Sequence, residues 1–330
     1  MSIPVISMAE FNRQYETLLK GMDADTYQRM CSTAVAVPGV ERLKGLEPFS
    51  NEYKNAVLEL HAELRGRADV YDPAEHEQAD PGHFNGPNPF TDTVPWQFRD
   101  ASFVSQHLFS WAMIFNALEL KGTGRVLEYG PGSGQILLQL ARCGIEAYGV
   151  DIDQRWLDQI AQQAEAMGLH VHLERNTFGR GFDGVLFDRI VFFEAFHHAI
   201  DFLDVLSMLR KRLAKDGRIV FCGEPVSPIA TSAIPYPWGP RLDGASLYCT
   251  RRCGWMELGF THDFFAEALA RTGYEVEHHP FPICERAACY VARPASGARG
   301  TRCVTVTTKA GRGTRKRGLR RLLSKVFRRR

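Results

Sequence analysis

The sequence predicts a doubly wound α/β domain: a mostly parallel, seven-stranded sheet with helices on both faces and a helical extension in front. Three observations carry that prediction. From Gly124 onward, short runs suited to strands alternate with segments whose apolar residues recur at helical spacing. A glycine-rich bend, Gly130–Gly134, lies between the first strand and the first helix of that series. Capping residues and glycines fall where each helical periodicity starts and stops.

In the leading 120 residues, Asn51–Arg65 reads as a helix with Tyr53, Val57, Leu60 and Leu64 on one face. Tyr71–Trp96 is rich in Pro, Gly, Asp and Asn and reads as a loop. Phe103–Leu118 is an apolar helix. Arg125–Tyr129 is the first strand of the sheet, and Gln135–Arg142 the helix behind the bend, closed by Gly144. Glu146–Val150 follows as the second strand. Asp153 caps a helix with Trp156, Ile160, Ala164 and Met167 on one face, stopped at Gly168. His170–Leu173 and Arg189–Phe193 are the third and fourth strands. Asp201 caps a helix with Phe202, Leu206, Leu209 and Leu213 in its stripe, ended by Gly217, and Arg218–Cys222 is the fifth strand. An aromatic-rich irregular insertion, Pro225–Phe260, separates it from a helix at Asp263–Arg271, capped by Thr261 or Asp263. The strands Tyr274–His278 and Ala287–Ala292 complete the sheet. The expected division is a helical cap in 1–120, the α/β domain in 121–293 with its insertion at 225–260, and a linker with a terminal helix in 294–330.

Composition narrows the class. The 330 residues are 45% hydrophobic, 24% charged and 11% aromatic, enough to bury a sizeable core. The net charge of +2 hides an asymmetry: no Asp or Glu follows Glu285, while residues 286–330 hold 15 Lys or Arg. A formal −13 body therefore carries a +15 tail, which disfavours a uniformly basic nucleic-acid binder. Met1–Lys20 lacks the apolar core of a secretory signal. Ala101–Leu118, free of charged residues, holds too many polar side chains for a membrane span. Eight scattered cysteines suit a reduced compartment. The expectation is a cytoplasmic protein with an anchor for the inner membrane face.

The most informative stretch is Val126–Gly134. A strand that ends in a glycine turn before a helix lets backbone approach a ligand and aims the helix N-terminus at it. The spacing is Gly130-x-Gly132-x-Gly134, and a hydride-transfer fingerprint would need glycine at 135 or 137, where Gln135 and Leu137 stand. Asp151 ends the second strand, where a carboxylate can accept both hydroxyls of a ribose.

With Glu128 two residues before Gly130, this pattern resembles the first motif of the class I S-adenosylmethionine-dependent methyltransferases, and Asp151 resembles their second-strand acid. The run Leu213–Gly217 is similar to their turn before the fifth strand. The resemblance covers roughly residues 120–293 and implies a Rossmann-like fold with S-adenosylmethionine as cofactor. It implies that the loop of Gly130, Gly132 and Gly134 faces the methionine moiety, that Glu128 organises that loop and that Asp151 holds the ribose. Where the family often has an acid for the adenine, this chain has Asn176 and Phe178 as substitutes.

Methyl transfer to a hydroxyl needs donor and acceptor in line and one proton removed. The fourth strand runs into Glu194-Ala195-Phe196-His197-His198, at the edge of the sheet where such folds react. His198, or else His197, is the candidate base, and the other reading is that both cap the turn. Glu194 would orient a histidine or touch a substrate hydroxyl, and Glu224 is a second acid. The segment lacks the prolines of nucleobase-modifying members. A metal held by Glu194, His197, His198 and Glu224 is disfavoured because adjacent histidines rarely converge on one ion. Cys249, Cys253, Cys284 and Cys289 lack zinc-knuckle spacing and read as buried thiols.

In the insertion, Trp238, Arg241, Asp243 and Trp255 combine aromatic platforms with hydrogen-bonding charges. That mixture suits a sugar ring, and equally a lid packed on its own core. The blocks Trp238–Asp243 and Gly254–Phe260 look like those of methyltransferases from bacterial polysaccharide and glycan assembly. That resemblance implies O-methylation of a sugar or glycan. Residues 294–318 read as a flexible linker. Leu319, Leu322, Leu323, Val326 and Phe327 recur at helical spacing among Arg320, Arg321, Lys325 and Arg328–Arg330. This basic amphipathic pattern suits an anionic membrane surface, a polyanion such as RNA, or a partner protein. The competing functions are a protein or RNA methyltransferase guided by that tail and a non-catalytic scaffold.

Overall fold

A computed structural model describes residues 3–21, 24–67, 69–84, 86, 88–120, 123–295 and 303–305. The chain opens with β1 (Val5–Ser7), α1 (Met8–Lys20), α2 (Ala24–Cys31) and β2 (Ala34–Ala36), the two strands pairing in parallel. Helix α3 (Asn51–Arg65) follows. The Ser50 hydroxyl accepts its Tyr53 N–H, and Gly66, left-handed at φ 68°, ends it. The loop expected over Tyr71–Trp96 contains the single turn α4 (Pro73–His76) and a 3-10 turn at Pro81–Phe84. Helix α5 (Ala101–Leu118) starts two residues earlier than the periodicity indicates, because the Asp100 carboxylate caps Ser102.

The α/β series is β3 (Arg125–Tyr129), α6 (Gln135–Arg142), β4 (Glu146–Asp151), α7 (Gln154–Ala166), β5 (His172–Arg175), β6 (Phe187–Phe193), α8 (Phe202–Arg210) and β7 (Leu213–Cys222). β8 (Val226–Ser227), β9 (Trp238–Pro240), α9 (Gly244–Cys253) and β10 (Leu258–Thr261) make up the insertion. α10 (His262–Arg271), β11 (Tyr274–His279), β12 (Cys289–Pro294) and β13 (Cys303–Thr305) complete the chain. The main sheet runs β13-β11-β12-β7-β6-β3-β4-β5, parallel except for β12, which is antiparallel to both neighbours.

Side chains alternate across this sheet. Leu127, Tyr129, Phe192 and Phe221 pack into one core, and Val126, Val191, Val220 and Cys222 into the other with Trp111 and Ile114 of α5. β4 and β5 lie on one side of β3, and β6 and β7 on the other. The carboxyl ends of β3 and β6 therefore flank the point where strand order reverses, the place where open α/β sheets bind ligands.

Three expectations are corrected. Among the described residues the sheet has eight strands, not seven, because Cys303–Thr305 pairs with β11 inside the stretch read as linker. Leu213 belongs to β7 and not to the preceding helical stripe; Asp216, left-handed at φ 62°, and a register irregularity carry the strand past Gly217. The insertion is not irregular: β8, β10 and β9 form a three-stranded sheet in which Trp238 pairs with Phe260. α5 packs on β7 and β12. The cap docks on the insertion, where the Tyr53 hydroxyl donates to the Trp238 carbonyl at 2.8 Å and the Trp238 indole donates to the Pro48 carbonyl at 2.8 Å. No helix among the described residues is long and apolar enough to cross a membrane. The terminal pattern at 319–330 lies outside the described residues.

Candidate active site

The bend after β3 can form because its glycines accept left-handed backbone: φ is 65° at Gly130 and 75° at Gly134. A Cβ at Gly130 would stand 2.8 Å from that of Ala195, and one at Gly134 would meet Ile160 at 2.5 Å. Gly134 thus lets α7 pack against the bend, while Gly130 and Gly132 line a cleft of about 370 Å³ together with Asp151, Asn176 and Phe178. Asn176 is fixed by its own neighbours, donating to Glu174 and accepting from Thr177, both at 3.0 Å. A second chamber of about 240 Å³ continues on the other side of the bend, over Glu128, and shares Gly130, Gly132, Glu194, His198 and Trp255 with the first.

Two buried carboxyls of these chambers have raised pKa values. Burial raises Glu128 to about 8, with the Asp151 charge adding to it, and its Oε2 is buried without a partner. Burial likewise raises Asp151 to about 7, against the amides of Asp153 and Gly132 that hydrogen-bond its carboxylate.

Beyond the bend, β6 ends in Glu194, left-handed at φ 50°. Glu224, at the end of β7, accepts the N–H groups of Ala195, Phe196 and His197 at 3.0–3.1 Å and the His197 Nδ1 contact at 2.8 Å. His197 is thereby locked into the turn. It is 6% exposed, lies outside the cleft, and its protonation is driven well down by burial and then by His198. The candidate base is therefore His198 and not His197. His198 lines both chambers, and its Nδ1 lies 2.9 Å from Glu77 Oε2. Burial disfavours its charge, but the carboxylates of Glu77, Glu257 and Glu224 together outweigh that, Glu77 most, and raise it to about 9.

The other predicted residues divide in two. Trp255 lines the cleft, its indole donating to the Gln78 carbonyl at 2.8 Å and standing edge-on to His198. Glu194 also lines it, but it orients neither histidine; it pairs with Arg286 and faces His107 at 3.7 Å. Trp238, Arg241 and Asp243 are not in the cleft. Trp238 is 2% exposed among Tyr53, Phe202 and Phe264, Arg241 pairs with buried Glu257, and Asp243 caps Ser246 of α9. They build the lid's own core, the alternative to a sugar platform.

Histidines 197 and 198 do converge, with one donor atom each and one of Glu257 within 4.8 Å of one another. Arg241 already occupies Glu257 and Glu224 occupies His197, so we read the trio as a buried ion-pair network. The eight cysteines are free thiols, with Cys222 and Cys289 facing each other across β7 and β12. Sequence reasoning missed Glu77, His83 and Trp156 as cleft residues. Only Trp156 had a signal, an aromatic in the first turn after Asp153.

A doubly wound sheet with this bend and these two strand-end acids defines a nucleotide-cofactor enzyme. Residues 105–279, more than half of the chain, match the family model described as a methyltransferase domain, and the chain belongs to that family. It is an S-adenosylmethionine-dependent methyltransferase. Among solved structures it is similar to the CcbJ methyltransferase from Streptomyces caelestis, at 18% identity over 68% of this chain and 100% of that one, with a TM-score of 0.46. It is also similar to an S-adenosylmethionine-dependent methyltransferase from Clostridium acetobutylicum (11% identity, 57% and 92% covered, TM-score 0.43). A third is the YcgJ protein from Bacillus subtilis (18%, 52% and 70%, TM-score 0.42). Comparison with curated proteins gives no match.

The residues present fit the cofactor. An unpartnered buried carboxylate oxygen on Glu128 suits an ammonium, and Asp151 suits a diol. Ile152, Asn176 and Phe178 offer walls and a polar edge for a base. Bound there, S-adenosylmethionine supplies an electrophilic methyl group on a sulfonium.

Proposed function

We propose that the protein methylates a hydroxyl of a sugar or glycan, at the cytoplasmic face of a membrane. The observation that carries this reading is the Trp255 indole standing edge-on to His198, both on the cleft wall with Glu77 and His83. An aromatic face beside fixed hydrogen-bonding groups suits a ring that is apolar on its faces and polar at its rim. The platform is thus narrower than the sequence indicates, with Trp255 in it and Trp238 outside. S-adenosylmethionine, held by Glu128, Asp151 and the glycine bend, would supply the methyl group and keep the sulfur as leaving group, and His198 in its neutral form would take the proton of the acceptor hydroxyl. Most of the catalytic gain would come from alignment, with general-base help of roughly 10²–10⁴-fold.

The membrane context rests on the basic amphipathic pattern of Leu319–Arg330. The test of the acceptor is transfer of labelled methyl from the cofactor to fractionated cell extract. Label in glycan, stable to base as an ether is, supports the reading. Label in protein or RNA overturns it in favour of an enzyme guided by its tail.

A further inference from the structure

We propose that Glu77 is the positioning residue of His198, so that the base is a histidine–carboxylate pair assembled from the N-terminal extension and the end of β6. The inference rests on the reading of His198 as the base. Glu77 is itself held rigidly: its Oε1 accepts the Met256 N–H at 2.6 Å and the Tyr71 hydroxyl. That leaves Oε2 for His198, whose Nδ1 is 2.9 Å away. The Nδ1–H is not aligned on that oxygen, so the contact is one of proximity and opposite charge; it favours a proton on Nδ1, which on loss of the second proton leaves the lone pair on Nε2.

Other groups face His198 as well. The His197 ring lies 4.3 Å away, and Glu257 and Glu224 act on it from the far side, with Arg241 bound to Glu257. Glu194 and Asp201 line the same cleft, but Asp201 pairs with Lys54 and Glu194 with Arg286. Glu77 alone among these carboxylates is within hydrogen-bond distance of His198.

The pair exists only while its segment is docked. Next to Glu77, the Gln78 carbonyl accepts from Trp255, and the Ala79 N–H donates at 3.0 Å to Asp153, two residues from Asp151. Arg155 donates to the Ala79 carbonyl at 2.8 Å and stacks over Phe84. One strap therefore links the base, the acceptor wall and the cofactor end of the cleft.

The test is the titration of His198 followed by NMR on histidine-labelled full-length protein, assigned with H198N and compared with E77Q and E77D. In E77Q the His198 midpoint should fall by one to two pH units. The ascending limb of kcat/KM should shift to lower pH with it, and the high-pH plateau should drop about 10- to 100-fold at unchanged cofactor affinity. E77D should restore part of both. An unmoved His198 midpoint and pH profile in E77Q, with H198N inactive, would overturn the role of Glu77 alone. Wild-type turnover in H198N would instead overturn the base reading, and this inference with it, whatever the titration shows.

Discussion

Glu128 and Asp151 stand on adjacent strands, one on each side of the glycine bend, and burial pushes their carboxyls up to about 8 and about 7. Each is the kind of group that a cationic or hydroxyl-bearing ligand would convert from a burden to a contact. Glu128→Gln and Asp151→Asn should therefore weaken cofactor binding by about 10- to 100-fold each, in line with roughly 1.5–3 kcal/mol for a hydrogen bond to a charged group. Titration calorimetry with S-adenosylhomocysteine and S-adenosylmethionine checks this. E128Q should cost both ligands alike, since both carry the amino-acid end.

The same two carboxyls make cofactor binding pH-dependent, with a definite sign. Because burial raises both pKa values, the free protein holds these protons below pH 7–8. An ammonium or a diol in the cleft favours the ionised forms, so binding should release protons at pH 6.5 and affinity should rise with pH until about 8. Calorimetric heats in two buffers of different ionisation enthalpy at pH 6.5 and 8.5 measure the release. Proton uptake at pH 6.5, or equal linkage at both pH values, would contradict the assignment of these acids to the cleft.

What was legible in the sequence was local. Asn51–Arg65 has the bounds read for it because Ser50, Gly66 and the apolar spacing all act within one helix. The bend and Asp151 were legible for the same reason, as strand, turn and strand end follow one another directly. Glu77 carried no signal, since its role depends on a loop packing against Met256 and His198, far along the chain. Nor could composition tell Trp255 from Trp238: both are tryptophans among charged residues, and only tertiary packing puts one on the cleft and the other under α3. The three residues of β13 are too few to show an alternation.

That separation of Trp255 from Arg241 is testable by two variants with opposite signatures. Trp255→Ala removes a cleft wall and should raise the acceptor KM at least tenfold while leaving the cofactor Kd within about twofold. Arg241→Met leaves Glu257 buried without its cation. Breaking such a pair costs about 3–5 kcal/mol, so this variant should lower Tm by several degrees with little change in Kd for the cofactor. A stable R241M with a raised acceptor KM would return Arg241 to the acceptor site.

Ending the chain at Pro294 would strip Cys303–Thr305 from the edge of the sheet and confound anchoring with stability. A chain ending at Gly318 keeps the strand and removes only the apolar and basic residues from Leu319 onward. Each basic residue near anionic headgroups contributes roughly 1 kcal/mol, and five apolar side chains add to that, which suffices for reversible attachment. The full chain should therefore sediment with vesicles containing phosphatidylserine at low salt and leave them as the Debye length shrinks from about 10 Å toward 3 Å near 1 M. The shortened chain keeps nine of the fifteen basic residues but none of the five apolar ones, so it should bind more weakly and be released at lower salt, with an unchanged cofactor Kd. Equal vesicle binding by both chains would place any membrane contact elsewhere on the protein, and displacement of the full chain by RNA at equal charge would favour a polyanion over a lipid surface.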